Sequence, residues 1–311
     1  MLKNFCVDFI SGIFRFFNVK EIIRPDTKKL PIMKYLLHFC ILFSVNSMAQ
    51  TELIFNKRFV ESEDHWVAFN MSKDSSYPYG FIYIDAMAGL TFNREGSFKI
   101  GPGGKYLAQR IENANLKVRL QPNNVLVAFI PENKFNELSI SKVPGWLAIY
   151  KGDTNSVDRL YRWGFLYNGW NECAKALTYL ERAQQKDPEF KGLGVELAFS
   201  YNCIQQYEKA IGILKDLREK EPTDAYINKE LIYAQIKLGR LEDAAASCKT
   251  ALALCPVQTY NGENCYNLLH ELYVKKDKTN FLLWLDETKK WTANRPNLVK
   301  SIQFMETEMN K

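Results

Sequence analysis

Histidine is almost missing from this 311-residue chain, in which His38, His65 and His270 are the three that occur. A metal centre built on imidazoles needs several of them converging, so a histidine-rich site is excluded, and no Ser/His/Asp arrangement stands in a supporting motif. Long apolar runs are lacking as well. The run from Tyr35 to Val45 is about half of the roughly 20 residues that a bilayer-spanning helix requires. An excess of one charge is also missing once the chain is divided. The formal charge of +6 comes mostly from the first 49 residues, and from Gln50 onward 34 Lys and Arg stand against 32 Asp and Glu. So even a balance leaves no electrostatic footprint for nucleic acid.

The short apolar run has a natural explanation. Residues 33–49, MKYLLHFCILFSVNSMA, begin with a methionine and Lys34, continue apolar, and end on small residues at Ser47 and Ala49. This is the layout of a secretory signal, with cleavage expected after Ala49. Gln50 follows the cleavage point, where a lipoprotein signal would place cysteine. Residues 1–32 stand in front of the signal, and Asp8 and Arg15 interrupt their apolar stretch. They are expected to be an over-extended reading frame or a segment lost on processing. The mature chain is then expected to be exported, periplasmic or extracellular, as a bacterial envelope protein without an integral membrane span. It keeps Cys173, Cys203, Cys248, Cys255 and Cys265. An odd count in an exported chain leaves at least one thiol free or bridged to another molecule. Cys255 and Cys265 flank a loop and are the candidate disulfide; the alternative is buried thiols acting as small hydrophobes.

Residues 50–150 read as a compact, mostly antiparallel β domain. YPYGFIYID (Tyr77–Asp85) and LTFNREGSFKI (Leu90–Ile100) are rich in aromatic and β-branched residues, and Leu116–Leu120 alternates apolar with basic. Gly89, Gly96, Pro122-Asn123-Asn124 and Pro131 supply the breaks. A short helix is expected around Tyr106–Asn113. GPGGKY at 101–106 reads as a turn, since Tyr106 stands where a phosphate loop needs Ser or Thr. Glu61, Glu63, Asp64 and His65 are neighbours in one strand, so their side chains alternate faces and are expected to be a solvated strand end. Pro144-Gly145-Trp146 marks the crossing into the second half, with Trp146–Tyr150 expected to pack against the first helical unit.

From Asp158 to Pro256 the chain repeats itself. Ala176, Ala210 and Ala244 are 34 residues apart, and so are Pro188, Pro222 and Pro256. The first unit (157–190) carries Leu160, Trp163, Gly164, Tyr167, Ala176, Leu180, Ala183 and Pro188. The second (191–224) carries Gly194, Leu197, Ala198, Tyr201, Ala210, Leu214, Leu217 and Pro222. The third (225–258) carries Asn228, Leu231, Ile232, Gln235, Ala244, Cys248, Ala251 and Pro256. Such a period is the mark of stacked helix pairs, in which small residues sit where helices approach and proline ends the second helix. These residues resemble the tetratricopeptide repeat (TPR), with departures at Ile232 and Gln235. Residues 259–311 read as capping helices and a C-terminal tail: a degenerate pair at Glu263–Val274 and Asn280–Trp291, then a polar, frayed helix at Asn297–Lys311. The expected fold class is α+β, a small mostly antiparallel β domain followed by an all-α TPR solenoid of three repeats with degenerate capping helices.

The resemblance implies that the first helix of each unit lines a concave groove where a protein or peptide partner lies. Two further series recur there at the same period: Phe165, Phe199 and Tyr233, and Asn168, Asn202 and Ile236. Aromatic rings would supply apolar contact, and amides would bond an extended backbone. Packing of the same aromatics between helices is the alternative. The family's carboxylate clamp is not reproduced, because Phe165 and Phe199 stand where it would be polar. A non-enzymatic interaction protein without cofactor, metal or nucleic-acid partner is therefore expected. Two other readings stand beside it: a ligand-binding or hydrolytic β domain scaffolded by the repeats, and a structural subunit of an envelope assembly.

Overall fold

A computed structural model describes residues 53–111 and 116–311. The extension 1–32 and the signal at 33–49 lie outside the described residues. The described part opens on an antiparallel sheet of seven strands, namely β1 (Lys57–Arg58), β2 (His65–Ala68), β3 (Tyr77–Asp85), β4 (Gly89–Ile100), β5 (Tyr106–Arg110), β6 (Leu116–Arg119) and β7 (Leu126–Phe129). They lie in the order β1-β7-β2-β3-β4-β5, with β6 also paired to β4. The two aromatic runs form the long β3/β4 hairpin. At its tip the Asp85 carboxylate accepts from the Met87 and Ala88 N–H groups at 2.7 and 2.8 Å. The register shifts between Tyr79 and Gly80. Only glycine fits this bulge, since a Cβ on Gly80 would lie 2.1 Å from the Asn93 carbonyl oxygen.

Where a short helix was expected, Tyr106–Arg110 is strand β5, pairing with β4 from Ile100 to Gly96. The segment contains good helix formers, but the free edge of β4 offers it backbone partners, and that tertiary context overrides propensity. GPGGKY turns β4 back into β5, with the Gly101 N–H donating to the Lys105 carbonyl at 2.8 Å.

Successive side chains of β3 point to opposite sides of the sheet, as strand geometry requires. Phe81 and Tyr83 join Trp66, Tyr79 and Phe98 in one core, which is covered by Leu138 of α1 (Phe135–Leu138) and Leu147 of α2 (Leu147–Lys151). Trp146 belongs here, with its ring edge-on to Phe81 and Tyr83 at 6.0 and 5.2 Å. It packs on the sheet and not, as expected from its place in the chain, against the first helical unit. Ile82 and Ile84 point the other way and share a core with Leu160, Trp163 and Tyr167.

Those residues belong to α3 (Val157–Gly169), which pairs with α4 (Cys173–Lys186). Next come α5 (Leu193–Cys203) with α6 (Tyr207–Lys220), α7 (Ala225–Lys237) with α8 (Leu241–Leu254), and α9 (Asn261–Val274) with α10 (Lys278–Thr292). The turns inside the first three pairs are copies of one another. Asn171, Gln205 and Gly239, 34 residues apart, take left-handed φ values of 61°, 63° and 72°. In each the next N–H donates back to a carbonyl five residues earlier: Glu172 to Tyr167, Gln206 to Tyr201 and Arg240 to Gln235, at 2.8 to 2.9 Å. Contact inside each pair is tuned by size. A Cβ on Gly164 would come within 2.3 Å of Leu180, so the first unit pairs glycine with leucine. The second sets Ala198 with Leu214 in one cluster, and the third sets Ile232 with Cys248. From the second unit to the third the first-helix residue grows from alanine to isoleucine while its counterpart shrinks from leucine to cysteine, which conserves volume and explains how Ile232 is tolerated.

The last helix, α11 (Pro296–Met309), is not a frayed tail. Ile302 and Met305 are buried in the cluster that holds α9 and α10. No helix among the described residues is long and apolar enough to cross a membrane.

Candidate functional site

Phe165, Phe199 and Tyr233 occupy one position of α3, α5 and α7. Phe165 is 52% exposed and the other two are half-buried. Tyr161 lies 6.3 Å from Phe165, Tyr207 lies 6.4 Å from Tyr233, and the Lys237 ammonium sits 5.5 Å above the Tyr233 ring. A further cluster lies where α7 meets the start of α9. Lys229 is 3.0 Å from Glu230 and 3.6 Å from Glu263, between the rings of Tyr226 and Tyr260 at 5.7 and 5.6 Å. Burial pushes the Lys229 ammonium down, but the two carboxylates outweigh it and hold its pKa above the usual lysine value. Burial also pushes the Tyr226 hydroxyl well up.

The companion series is not where the groove reading put it. Asn168, Asn202 and Ile236 are buried, at 2%, 3% and 5% exposure. The Asn168 amide donates to the carboxylate and the backbone carbonyl of Glu196, and the Asn202 amide does the same to Glu230. These side chains sit between consecutive first helices, where an uncapped amide would be expensive to bury, and each takes an acid 28 residues ahead. The third unit has Ile236 with Asn264 at that spacing, and so loses the pair. Sequence did carry the signal, since Glu196 and Glu230 are also 34 apart.

Gln235 stands where the first two units have Tyr167 and Tyr201. The Tyr201 hydroxyl donates to Glu181 at 3.1 Å. Beside Gln235 lies an open notch of about 390 Å³ whose lining includes Lys215, Arg218, Asp243 and Ser247. The Gln235 side-chain oxygen Oε1 is buried beside it without a hydrogen-bond partner.

The cysteines are also arranged differently from expectation. Cys173 and Cys203 are the bonded pair, with Cα atoms 6.1 Å apart, and they tie the start of α4 to the end of α5. Cys255 and Cys265 are not bonded to each other. Cys265 faces Cys248 across 3.9 Å, while Cys255 lies 3.6 Å from the Asn228 amide. Flanking a loop in sequence did not bring the two sulfurs together, because α9 turns Cys265 inward toward α8.

Glu63 was expected at a solvated strand end and is instead drawn into the joint between sheet and helices. Its carboxylate accepts from the Tyr167 hydroxyl and pairs with Lys175 at 3.3 Å, and Lys175 lies 4.2 Å over the Tyr167 ring. The buried Arg159 guanidinium donates to the Ile84 carbonyl and stacks 4.3 Å from Trp163. Desolvation lowers the Arg159 pKa, offset in part by Asp85 and Glu63. The other polar neighbours are engaged too: Glu61 with Arg58, Asp64 with Lys151, and His65 stacked on Phe129 at 4.2 Å. Among the described residues no group of three or more His, Cys, Asp or Glu is placed to hold a metal ion.

No protein-family model and no curated protein matches the chain. Among solved structures it is similar to MamA MSR-1, at 21% identity over 47% of this chain and 82% of that one, with a TM-score of 0.40. It is similar also to MamA AMB-1, at 22% identity over 46% and 82% with a TM-score of 0.39. A third is TTC0263, a thermophilic TPR protein in Thermus thermophilus, at 17% identity over 50% and 84% with a TM-score of 0.41. Likenesses at such scores carry no weight of their own. The TPR-like character of the helical region rests on its own 34-residue register, seen in helix, turn and contact alike.

Proposed function

We propose that this is an exported, non-enzymatic interaction protein whose helical array holds a polypeptide partner in its groove, with the β sheet closing the N-terminal end of the array. One observation carries the reading: Phe165, Phe199 and Tyr233 recur at one first-helix position of three consecutive units, and the first of them is half in solvent. Rings in a row offer apolar contact along an extended chain with little demand on its sequence. The buried asparagines take no part in this contact, so aromatic side chains and the flanking Lys237 carry recognition. A solenoid needs its end covered, and the face of the sheet bearing Ile82 and Ile84 supplies that cover for α3 and α4. A non-enzymatic role is supported by the use of Glu61, Glu63 and Asp64 in structural pairs. Export is supported by the signal pattern at 33–49 and by the Cys173–Cys203 bond, which belongs to an oxidising compartment.

The test is a peptide array probed with the tagged mature chain, followed by affinities for the bound peptides. Phe165→Ala with Phe199→Ala should weaken binding at least about tenfold, the scale of truncating two interface aromatics. The same peptides bound equally well by that variant would sink the groove assignment. Peptides whose binding tracks substitutions in β6 instead would point to the sheet as the binding element.

A further inference from the structure

A pair of residues 17 apart recurs where the second helix of one unit meets the first helix of the next. Leu180 and Leu197 stand at the first such joint, Leu214 and Leu231 at the second, all four 0–1% exposed. At the third the pair is Cys248 and Cys265, both 0% exposed, with their sulfurs 3.9 Å apart. Ile232 takes up volume released at position 248. Packing there asks only for a small side chain, and alanine serves at Ala244 and Ala251 of the same helix. Volume alone gives no reason for two positions on different helices to change together to cysteine and face each other.

We propose that Cys248 and Cys265 form a second disulfide, fastening the third unit to the capping pair as Cys173–Cys203 fastens the first unit to the second. The inference rests on the oxidising-compartment part of the proposed function. The sulfurs need approach each other only to the ordinary bond length of about 2.05 Å. The chemistry is thiol–disulfide exchange with a protein disulfide oxidant of that compartment. One cysteine thiolate attacks the oxidant's disulfide to give a mixed disulfide, and the second displaces the oxidant's sulfur. One S–S bond forms in the chain, one breaks in the oxidant, and the oxidant leaves with two electrons and both thiol protons as a dithiol. Because both sulfurs are buried once α8 and α9 pack, the exchange belongs to folding. In the packed state, contact with Cys265 and burial push the Cys248 thiol up, which keeps it unreactive. Two bridges also settle the odd count among the described residues, where Cys255 is then the one unpaired thiol.

The experiment takes the full chain exported by its host, purifies it without reductant, denatures it in an alkylating agent and maps the peptides by mass. The expected result is alkylation at Cys255 alone, with crosslinked peptides joining Cys173 to Cys203 and Cys248 to Cys265. Alkylation of Cys248 and Cys265 beside an intact Cys173–Cys203 bond overturns this inference and leaves the compartment reading standing. Alkylation of all five overturns both, and a bond from Cys265 to any residue except Cys248 overturns the pairing.

Discussion

The Asn202 amide donates to both the backbone carbonyl and the carboxylate of Glu230, at 3.1 and 3.0 Å, and so joins α5 to α7 across a unit boundary. Removing the amide leaves a buried acid with one donor fewer. Asn202→Ala should lower unfolding stability by about 1–3 kcal/mol. Asn202→Asp, which sets a second carboxylate against Glu230, should lower it further. Urea melts of the three proteins check both, and a change below about 0.5 kcal/mol for the alanine variant would deny the pair a role.

Sheet and helices are joined through Glu63 and Tyr167. Burial pushes the Tyr167 hydroxyl far up, with the Glu63 charge adding to it, so the phenol stays a donor at any physiological pH. In a cycle of Glu63→Gln, Tyr167→Phe and the double variant, a coupling energy of about 1 kcal/mol or more is expected. Strict additivity would show that the two act separately.

Gln205 holds a left-handed φ of 63° at the turn position where the next unit has Gly239. Gln205→Gly should therefore gain about 0.5–1 kcal/mol, and Gly239→Ala should lose a similar amount. Thermal unfolding of the two variants should move in opposite directions.

The notch at Gln235 invites the tyrosine that the other units carry. Gln235→Tyr should fill it, remove a buried unpartnered side-chain oxygen and raise stability by about 1 kcal/mol. A lower melting temperature would mean that the polar lining rejects the ring.

Burial raises the hydroxyls of Tyr83 and Tyr106 to about 12 from the ordinary value of 10. For an acid raised on folding, the contribution to stability is complete below the unfolded value. It is lost as pH climbs from the unfolded value through the folded one, here between 10 and 12. Stability should fall over that window, and Tyr83→Phe with Tyr106→Phe should flatten the fall. An unchanged slope in denaturant melts across the window would show that other groups drive it.

Much of the molecule could be read from its residues. The two strands of the long hairpin were visible because Tyr77–Asp85 and Leu90–Ile100 carry strand-forming runs broken by turn residues, signals that need no partner to be read, whereas their pairing with each other is seen in the structure. The array was visible because every unit repeats the same steric demand at Ala176, Ala210 and Ala244 and ends on the same kind of proline. Strands β2 and β7 were not singled out, since each is short and is defined by the neighbours it pairs with. The groove was only half legible: periodicity finds a series such as Asn168 and Asn202, but not which way it faces.

By itself, then, the sequence determined the period, the helix pairs and the division into a sheet followed by helices, because these follow from local patterns of size, polarity and backbone freedom. Only the tertiary structure decided which face each residue presents. It buried Asn202 against Glu230, drew Glu63 from a strand end to Tyr167, and turned Cys265 toward Cys248 and away from Cys255. Each of those outcomes depends on which helix or strand lies alongside, and that is fixed by packing between elements far apart in the chain.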